Sequence, residues 1–171
     1  MKRFGMAALV VMMGCVATFV HAADDSVFTD FEGKPHSIES YAGDGRWLVV
    51  MIWAHDCHVC NMEAENYAQF HEAHKDKDAR ILGISLDGQA KKAEAAAFIQ
   101  RHDLPFPNLI GEPETTMLYY MNLTQTSFRG TPTILLYGPD GNLKAAQAGA
   151  VPVDSIEAYI AKNSPQAPKA G

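Results

Sequence analysis

A buried strand that runs directly into a helix carrying two cysteines constrains this chain more than any other feature. Residues 48–53 form a continuous apolar run of the length expected for a strand covered on both faces. From residue 57 or 59 to about residue 74, apolar residues then recur at helical spacing. Cys57 and Cys60 stand at the junction. We therefore expect a central β-strand whose end presents a pair of thiols.

This C-x-x-C pair has the layout of a dithiol redox centre. A helix N-terminus offers unpaired backbone N–H groups and the positive end of the helix dipole, and both favour a thiolate at Cys57. Cys60 lies within reach to close a disulfide. C-x-x-C pairs also occur in zinc sites, and two cysteines in an exported protein can form a purely structural disulfide. A bridge across so short a loop removes little entropy from the unfolded chain, which favours the redox interpretation.

The N-terminal segment predicts export. Lys2 and Arg3 precede an apolar run over residues 4–20, and Ala22 ends a pattern that a signal peptidase reads. We predict a secretory signal peptide over residues 1–22 and a periplasmic location for the mature chain. Two alternatives stay open. One is lipidation at Cys15, and the other is an uncleaved anchor, since the run lies at the lower limit of what spans a bilayer, about 17–25 residues.

Loss of the signal peptide changes both the charge and the cysteine count. It removes two of the 14 basic residues and none of the 20 acidic ones, so the formal net charge goes from −6 to −8. An acidic domain is not expected to bind nucleic acid. Cys15 is removed as well, which leaves Cys57 and Cys60 as the cysteines of the mature chain.

The remaining pattern alternates between strands and helices, without an internal repeat or a long linker. Short extended pieces flank a turn within residues 28–38, a buried strand covers residues 81–85, and helical spacing covers residues 90–101, 115–121 and 154–162. Residues 133–137 and 143–148 are predicted as hairpin strands around a strong turn signal at residues 138–142. We predict one α/β domain over residues 23–163 and a flexible tail over residues 164–171.

Three motifs, taken together, resemble those of the thioredoxin fold. They are Trp53-Ala54-x-x-Cys57-x-x-Cys60 after a buried strand, Gly130-Thr131-Pro132-Thr133 before a β-hairpin, and Asp140-Gly141 in the turn of that hairpin. An added strand and helix between residues 78 and 103, the Gly-Lys-x-x-Ser-Ile opening at residues 33–38 and the exported leader narrow the resemblance to the periplasmic TlpA/ResA group. It runs over about residues 27–161. It implies a thioredoxin-like fold, with a central mixed β-sheet flanked by helices, an N-terminal β-hairpin and a strand-helix insertion.

The resemblance also implies roles for residues of two loops. Cys57 would be the exposed nucleophile that forms a mixed disulfide with a partner protein, and Cys60 would resolve it. Pro132 would be the cis-proline of the fold, facing the cysteines. The backbone of Thr131 would then be turned toward the site, where it could pair with an extended partner chain. For an isolated Thr-Pro pair, an ordinary turn would be the simpler interpretation.

Two further residues are candidate site residues, each with a structural alternative. Trp53 either packs over the disulfide or is a core aromatic residue at a strand end. Glu63 falls where the group often carries the glutamate of C-x-x-E-x-P. One turn from Cys60, it would either hold the proton on that thiol or take it, unless it is a solvated surface charge. The proline of that motif is replaced by Glu65, and Met51 stands where cytosolic thioredoxins have a buried acid.

These features imply a thiol–disulfide oxidoreductase but leave the direction of electron flow open. Relatives that serve cytochrome c maturation are reductants, and we predict a reductant here. His55 and His58 favour the opposite direction, because a protonated imidazole beside Cys57 stabilises the thiolate and makes the disulfide more oxidising. The expected partners are protein thiols or disulfides and a membrane or periplasmic redox partner. We expect no cofactor and no resident metal.

A copper-binding chaperone is the main alternative function. His55, Cys57, His58 and Cys60 offer two imidazoles and two thiols within six positions, a soft ligand set suited to Cu(I) or zinc. A tight zinc site would need a second ligand cluster downstream, and the sequence has none. A peroxidase is less well supported still, because no T-x-x-C motif precedes the helix.

Overall fold

The computed structural model describes residues 26–164, which fold around a seven-stranded β-sheet. The predicted signal peptide over residues 1–22 lies outside the described residues. So does the predicted tail, apart from its first residue, Ser164.

The sheet is mixed, with a hairpin at each edge. In chain order its strands are β1 (Phe28–Thr29), β2 (Pro35–His36), β3 (Trp47–Trp53), β4 (Ala79–Ser85), β5 (Asn108–Ile110), β6 (Thr133–Tyr137) and β7 (Leu143–Ala148). Across the sheet the order is β2-β1-β5-β4-β3-β6-β7. Strands β3, β4 and β5 run parallel, and the other neighbours pair antiparallel. The predicted N-terminal hairpin is β1–β2, at the edge opposite β6–β7.

Strand β3 lies in the middle of this sheet. All seven of its residues are buried, as expected for a continuous apolar run. It pairs in parallel with β4 over its whole length, from Trp47 opposite Ala79 to Trp53 opposite Ser85. On its other side it pairs antiparallel with β6. The prediction of a central, doubly covered strand ahead of the cysteines is confirmed.

Four α-helices cover the two faces of the sheet. They are α1 (His58–His74), α2 (Lys92–Arg101), α3 (Pro113–Thr124) and α4 (Val153–Asn163), and 3₁₀ turns lie at Glu39–Tyr41 and Gln89–Lys91. Alternate residues of β3 point to opposite faces. Its odd-numbered residues pack with α1, α2 and α4, and its even-numbered residues pack with α3. Within residues 26–164, no helix combines the length and the hydropathy needed to cross a bilayer.

The structure lengthens one predicted element and adds another. Helix α3 begins at Pro113, because a proline at the first helical position sacrifices no hydrogen bond, and it ends at Thr124, because the next residue, Gln125, has a left-handed φ of 56°. It therefore extends beyond the predicted residues 115–121 at both ends. Strand β5 is absent from the sequence prediction because three residues are too few to show a period. It forms through pairing with β4 and β1.

Two histidines of α1 are held in opposite ways. His71 is buried, and its Nδ1 accepts the backbone N–H of Ile81 on β4 at 3.0 Å. Burial lowers the pKa of His71. Partial burial also acts to lower the pKa of His74, but hydrogen bonds to Asp78 at 2.8 Å and Glu157 at 3.1 Å outweigh it, and the pKa of His74 is raised. His71 is thus a neutral acceptor, whereas His74 is favoured in its charged form.

We expect His71 to destabilise the fold in mild acid. In the unfolded chain the imidazole titrates near about pH 6.5, and in the folded chain it titrates lower, so below that pH the unfolded state binds more protons. The substitution His71→Ala leaves the Ile81 N–H without its acceptor and should cost about 1–3 kcal/mol at about pH 7.5. The cost should shrink at about pH 5. Urea unfolding at the two pH values measures it.

His74→Ala is the matched control, because its effect on stability should depend on pH in the opposite direction. A raised pKa in the folded state means that His74 stabilises the fold fully below about pH 6.5 and loses this contribution as the pH rises through its folded value. Its replacement should therefore cost more in mild acid than at neutral pH. A cost of His71→Ala that is the same at both pH values would contradict the neutral role of His71.

Candidate functional site

The two cysteines form a disulfide at the start of α1. Cys57 is the N-cap residue, and its Sγ accepts the backbone N–H of Cys60 at 3.1 Å. The two Sγ atoms are bonded to each other. Cys60 is completely buried, whereas Cys57 is partly exposed. A thiol that approaches from outside therefore meets Cys57 first.

The Thr131–Pro132 loop lies at the same end of the sheet as the disulfide. Thr133, the first residue of β6, pairs with Ile52 near the end of β3. Because these strands are antiparallel, the residues before Thr133 and those after Trp53 leave the sheet at the same end of the strands. The Thr131–Pro132 peptide bond is cis. Pro132 is buried and Thr131 is half-buried, so the part of the loop that a partner could reach begins at Thr131.

Trp53 lies in the core and packs in the apolar cluster that contains Cys60. It is fully buried. Its ring stacks on Phe98 of α2 with the centroids 4.4 Å apart, and its Nε1–H donates to Asn108 Oδ1 at 3.1 Å. A Cβ on Gly83 would collide with that Asn108 oxygen. Of the two interpretations of Trp53, these contacts favour the core aromatic residue.

Glu63 lies on α1 one turn after Cys60 and is half-buried. Its Oε2 accepts a hydrogen bond from Asn66 Nδ2 at 3.1 Å. Burial, and after it the charge of Glu63, raises the pKa of Tyr67, whose hydroxyl donates to the carbonyl of Val151 at 2.8 Å. The carboxylate of Glu63 therefore interacts with Asn66 and Tyr67, which both lie on α1. Its role toward the proton of Cys60 stays a prediction.

A hydrogen-bonded pair that the sequence did not reveal joins His55, two positions before Cys57, to Asp87. His55 Nδ1 is 2.6 Å from Asp87 Oδ1, and the backbone N–H of His55 donates to Asp87 Oδ2 at 3.0 Å. Ser85 Oγ donates to the same Oδ2 at 2.7 Å. The side chain of Asp87 is only 3% exposed. His55 is thus attached at its ring and at its backbone to a buried carboxylate.

A second pair holds the backbone around Cys57 from the other side. Asn61 Nδ2 donates to the carbonyls of Cys57 at 2.9 Å and His55 at 3.3 Å. Since the amide nitrogen is the donor there, Asn61 Oδ1 is the acceptor for His102 Nε2 at 3.0 Å. Burial, and after it Arg101, lowers the pKa of His102. The residue that follows the C-x-x-C motif is therefore a link between the loop and the end of α2.

Sequence reasoning missed Asp87, Asn61 and His102 for a common reason. Their roles depend on which loops the fold places side by side, and a single polar residue carries no periodic signal. One indication was available for Asp87. It follows a buried strand parallel to the one that precedes the cysteines, and the carboxyl ends of neighbouring parallel strands meet at one edge, where sites of α/β proteins lie.

The copper alternative receives no support from the geometry. Among residues 26–164, the group of three or more potential ligands with donor atoms within 4.8 Å of one another is His55, Asp56 and Asp87. It contains no sulfur, and the imidazole of His55 is already hydrogen-bonded to Asp87. The Cu(I) site required both thiols together with both loop histidines.

Comparison with known proteins agrees with the motifs. The AhpC/TSA family model matches residues 20–146. The thiol-disulfide oxidoreductase ResA of Bacillus thuringiensis subsp. konkukian is 26% identical over 143 residues, which cover 84% of this chain and 77% of that protein. The ResA of Oceanobacillus iheyensis is 27% identical over 126 residues, which cover 72% of this chain but 60% of that protein. The predicted resemblance to the TlpA/ResA group is confirmed.

A solved structure supports the fold. The thiol:disulfide interchange protein of the thioredoxin family from Chlorobium tepidum TLS superposes with a TM-score of 0.65 at 18% sequence identity. The match covers 78% of this chain and 89% of that chain. The thioredoxin-like fold with a central mixed sheet is therefore confirmed.

We expect Asn108 to stabilise the core behind the disulfide. Asn108→Ala leaves the buried Nε1–H of Trp53 without an acceptor, which should cost about 1–3 kcal/mol in the free energy of unfolding. Asn122→Ala, on the exposed surface of α3, is the matched control and should change that free energy by less than about 0.5 kcal/mol. Urea unfolding of the oxidised proteins measures both. Equal effects of the two substitutions would show that the Trp53–Asn108 bond contributes nothing.

Proposed function

The chain belongs to the AhpC/TSA family, and we propose that it is a periplasmic thiol–disulfide oxidoreductase that reduces disulfides in protein substrates. The observation that carries the proposal is the placement of the two sulfurs. Cys57 is partly exposed at the N-cap of α1, where a thiolate is favoured, and Cys60 is buried behind it. An attacking sulfur at the surface and a protected resolving sulfur are what a two-step exchange requires.

The exchange follows from this placement. In the dithiol form, the Cys57 thiolate attacks one sulfur of the substrate disulfide. A mixed disulfide forms, the substrate S–S bond breaks, and the second substrate sulfur leaves with the electron pair and takes up a proton. Cys60 then loses its proton and attacks Cys57 Sγ, which restores the Cys57–Cys60 disulfide and releases the first substrate sulfur as a thiolate that takes up the proton lost by Cys60. The substrate gains two electrons and two protons.

The surroundings of Cys57 support a reductant. Within the described residues 26–164, its Sγ accepts one hydrogen bond, from the Cys60 N–H. The adjacent Asp56 carries a negative charge, which opposes a thiolate, and residues 53–60 contain no lysine or arginine. His58 is exposed, so solvent and salt weaken its effect. Without a permanent positive charge beside it, the Cys57 thiolate is stabilised less than it would be next to a lysine or arginine, which favours the disulfide form and makes the dithiol a better electron donor.

The Thr131 backbone supports a protein as the substrate. Thr131 is half-buried and lies at the end of the strands from which the loop with Cys57 also leaves the sheet. An extended substrate segment could pair with it through main-chain hydrogen bonds, the mode by which strands recognise peptides. Such contacts do not depend on the side chains of the substrate, so they suit an enzyme that acts on several proteins.

Cysteine substitutions test the assignment of the two sulfurs. Cys57→Ser should reduce the rate of disulfide exchange below about one hundredth of the wild-type rate, because a serine hydroxyl is not ionised near neutral pH. Cys60→Ser should accumulate mixed disulfides with substrate proteins, visible on non-reducing gels. In the full-length chain, Cys15→Ser is the control and should leave exchange unchanged. Full exchange activity in Cys57→Ser would exclude the mechanism.

The reduction potential tests the direction. Members of the fold span from about −270 mV for thioredoxin to about −120 mV for strongly oxidising relatives. We expect a potential closer to the first value, measured by equilibration with glutathione and mass-spectrometric counting of free thiols. A value near the second would make the protein an oxidant.

A further inference from the structure

The His55–Asp87 pair has a defined arrangement of protons. A carboxylate only accepts hydrogen bonds, so His55 Nδ1, 2.6 Å from Asp87 Oδ1, carries the hydrogen. The other ring nitrogen, Nε2, is then the basic atom of the neutral imidazole. Within residues 26–164, Nε2 has no hydrogen-bond partner of its own. The ring is 20% exposed and stands two positions before Cys57.

Asp87 is itself held rigidly. Ser85 Oγ donates to Asp87 Oδ2 at 2.7 Å, and the backbone N–H of Asp87 donates to Ser85 Oγ at 3.2 Å. Ser85 pairs with Trp53 at the ends of β4 and β3, and the N–H of Leu86 donates to the carbonyl of Trp53 at 2.7 Å. The carboxylate therefore keeps a fixed position relative to the loop that carries the cysteines.

We propose that Asp87 is a positioning residue that holds His55 in the tautomer whose Nε2 takes the proton of the Cys57 thiol. In this step the S–H bond of Cys57 breaks, the electron pair stays on Sγ, and the proton forms an N–H bond at Nε2. Nothing is oxidised or reduced, and the resulting thiolate–imidazolium pair is the form that attacks a substrate disulfide. The inference rests on the proposed function, because it concerns the nucleophile of that exchange.

The carboxylate of Asp87 can either raise or lower the fraction of Cys57 present as thiolate, and these two effects can be told apart by experiment. Through its hydrogen bond it fixes the tautomer of His55 that can take the thiol proton, and this should raise the fraction of Cys57 present as thiolate. By direct repulsion it would lower that fraction. The contact with His55 is immediate, so the first effect should exceed the second. The sign of the change in an uncharged variant tells which effect dominates.

The main experiment compares Asp87→Asn with the wild type. In the reduced full-length chain, the rate of Cys57 alkylation by iodoacetamide near neutral pH should fall about threefold to tenfold, because His55 loses the charged acceptor that fixes its tautomer and the thiolate fraction of Cys57 falls. Mass spectrometry of the Cys57 peptide separates this reaction from alkylation of Cys15. The equilibrium with glutathione should move toward the protein disulfide.

Asp78→Asn is the matched control. Asp78 makes the same kind of bond, 2.8 Å to Nδ1 of His74, but at the far end of α1. Its removal should leave the Cys57 alkylation rate unchanged. An alkylation rate in Asp87→Asn that equals or exceeds the wild-type rate would overturn the proposal.

The double variant separates positioning from a structural role. In a His55→Gln background, Asp87→Asn should not lower the alkylation rate further, and the loss of direct repulsion can only raise it, whereas a merely structural Asp87 would lower the rate in both backgrounds. If Asp87→Asn does not fold in urea-unfolding tests, His55→Gln alone must show the same loss, and an unchanged rate there refutes the role of Nε2. A wild type that fails to exchange disulfides would refute the proposed function instead.

Discussion

The parallel register of β3 and β4 is the constraint on which the site depends. Trp53 and Ser85 pair at the ends of the two strands, and the N–H of Leu86 donates to the carbonyl of Trp53. The loops that follow therefore leave the sheet side by side. The loop after β3 carries His55 and Cys57, and the loop after β4 carries Asp87. His55 and Asp87 are therefore within hydrogen-bonding distance, although they are far apart in the chain. A shift of β4 by one residue against β3 would turn the side chains of β4 to the opposite faces of the sheet and displace the loop that carries Asp87.

The inserted strand and helix support the dithiol as well as widening the sheet. Helix α2 supplies Phe98, which stacks on Trp53 within the apolar cluster that also holds Cys60. Just after α2, His102 holds Asn61, whose amide holds the backbone at Cys57. The loop before α1 is thus fixed from two sides. This rigidity suits an exchange reaction, because the attacking and resolving sulfurs must meet a partner disulfide in line.

Agreement between sequence and structure follows the strength of the local signal. Strand β3 was predictable because an unbroken apolar run is typical of a strand covered on both faces. The hairpin at Thr133–Tyr137 and Leu143–Ala148 was predictable because the glycines, proline, aspartate and asparagine between its strands each favour a turn. Strand β5 has three residues and exists through its neighbours. The contacts of Asp87 were invisible because they join residues more than thirty positions apart.

By itself, the sequence determined that a pair of thiols stands at a strand-to-helix junction, since periodicity, helix capping and cysteine spacing are local properties of the chain. The sequence also determined the family resemblance, because that resemblance consists of short local motifs in a fixed order along the chain. The tertiary structure alone decided that Cys60 is buried and Cys57 accessible, that Trp53 is a core residue, and that His55 faces a buried carboxylate. Burial and long-range hydrogen bonds arise from packing between elements, which no local pattern encodes.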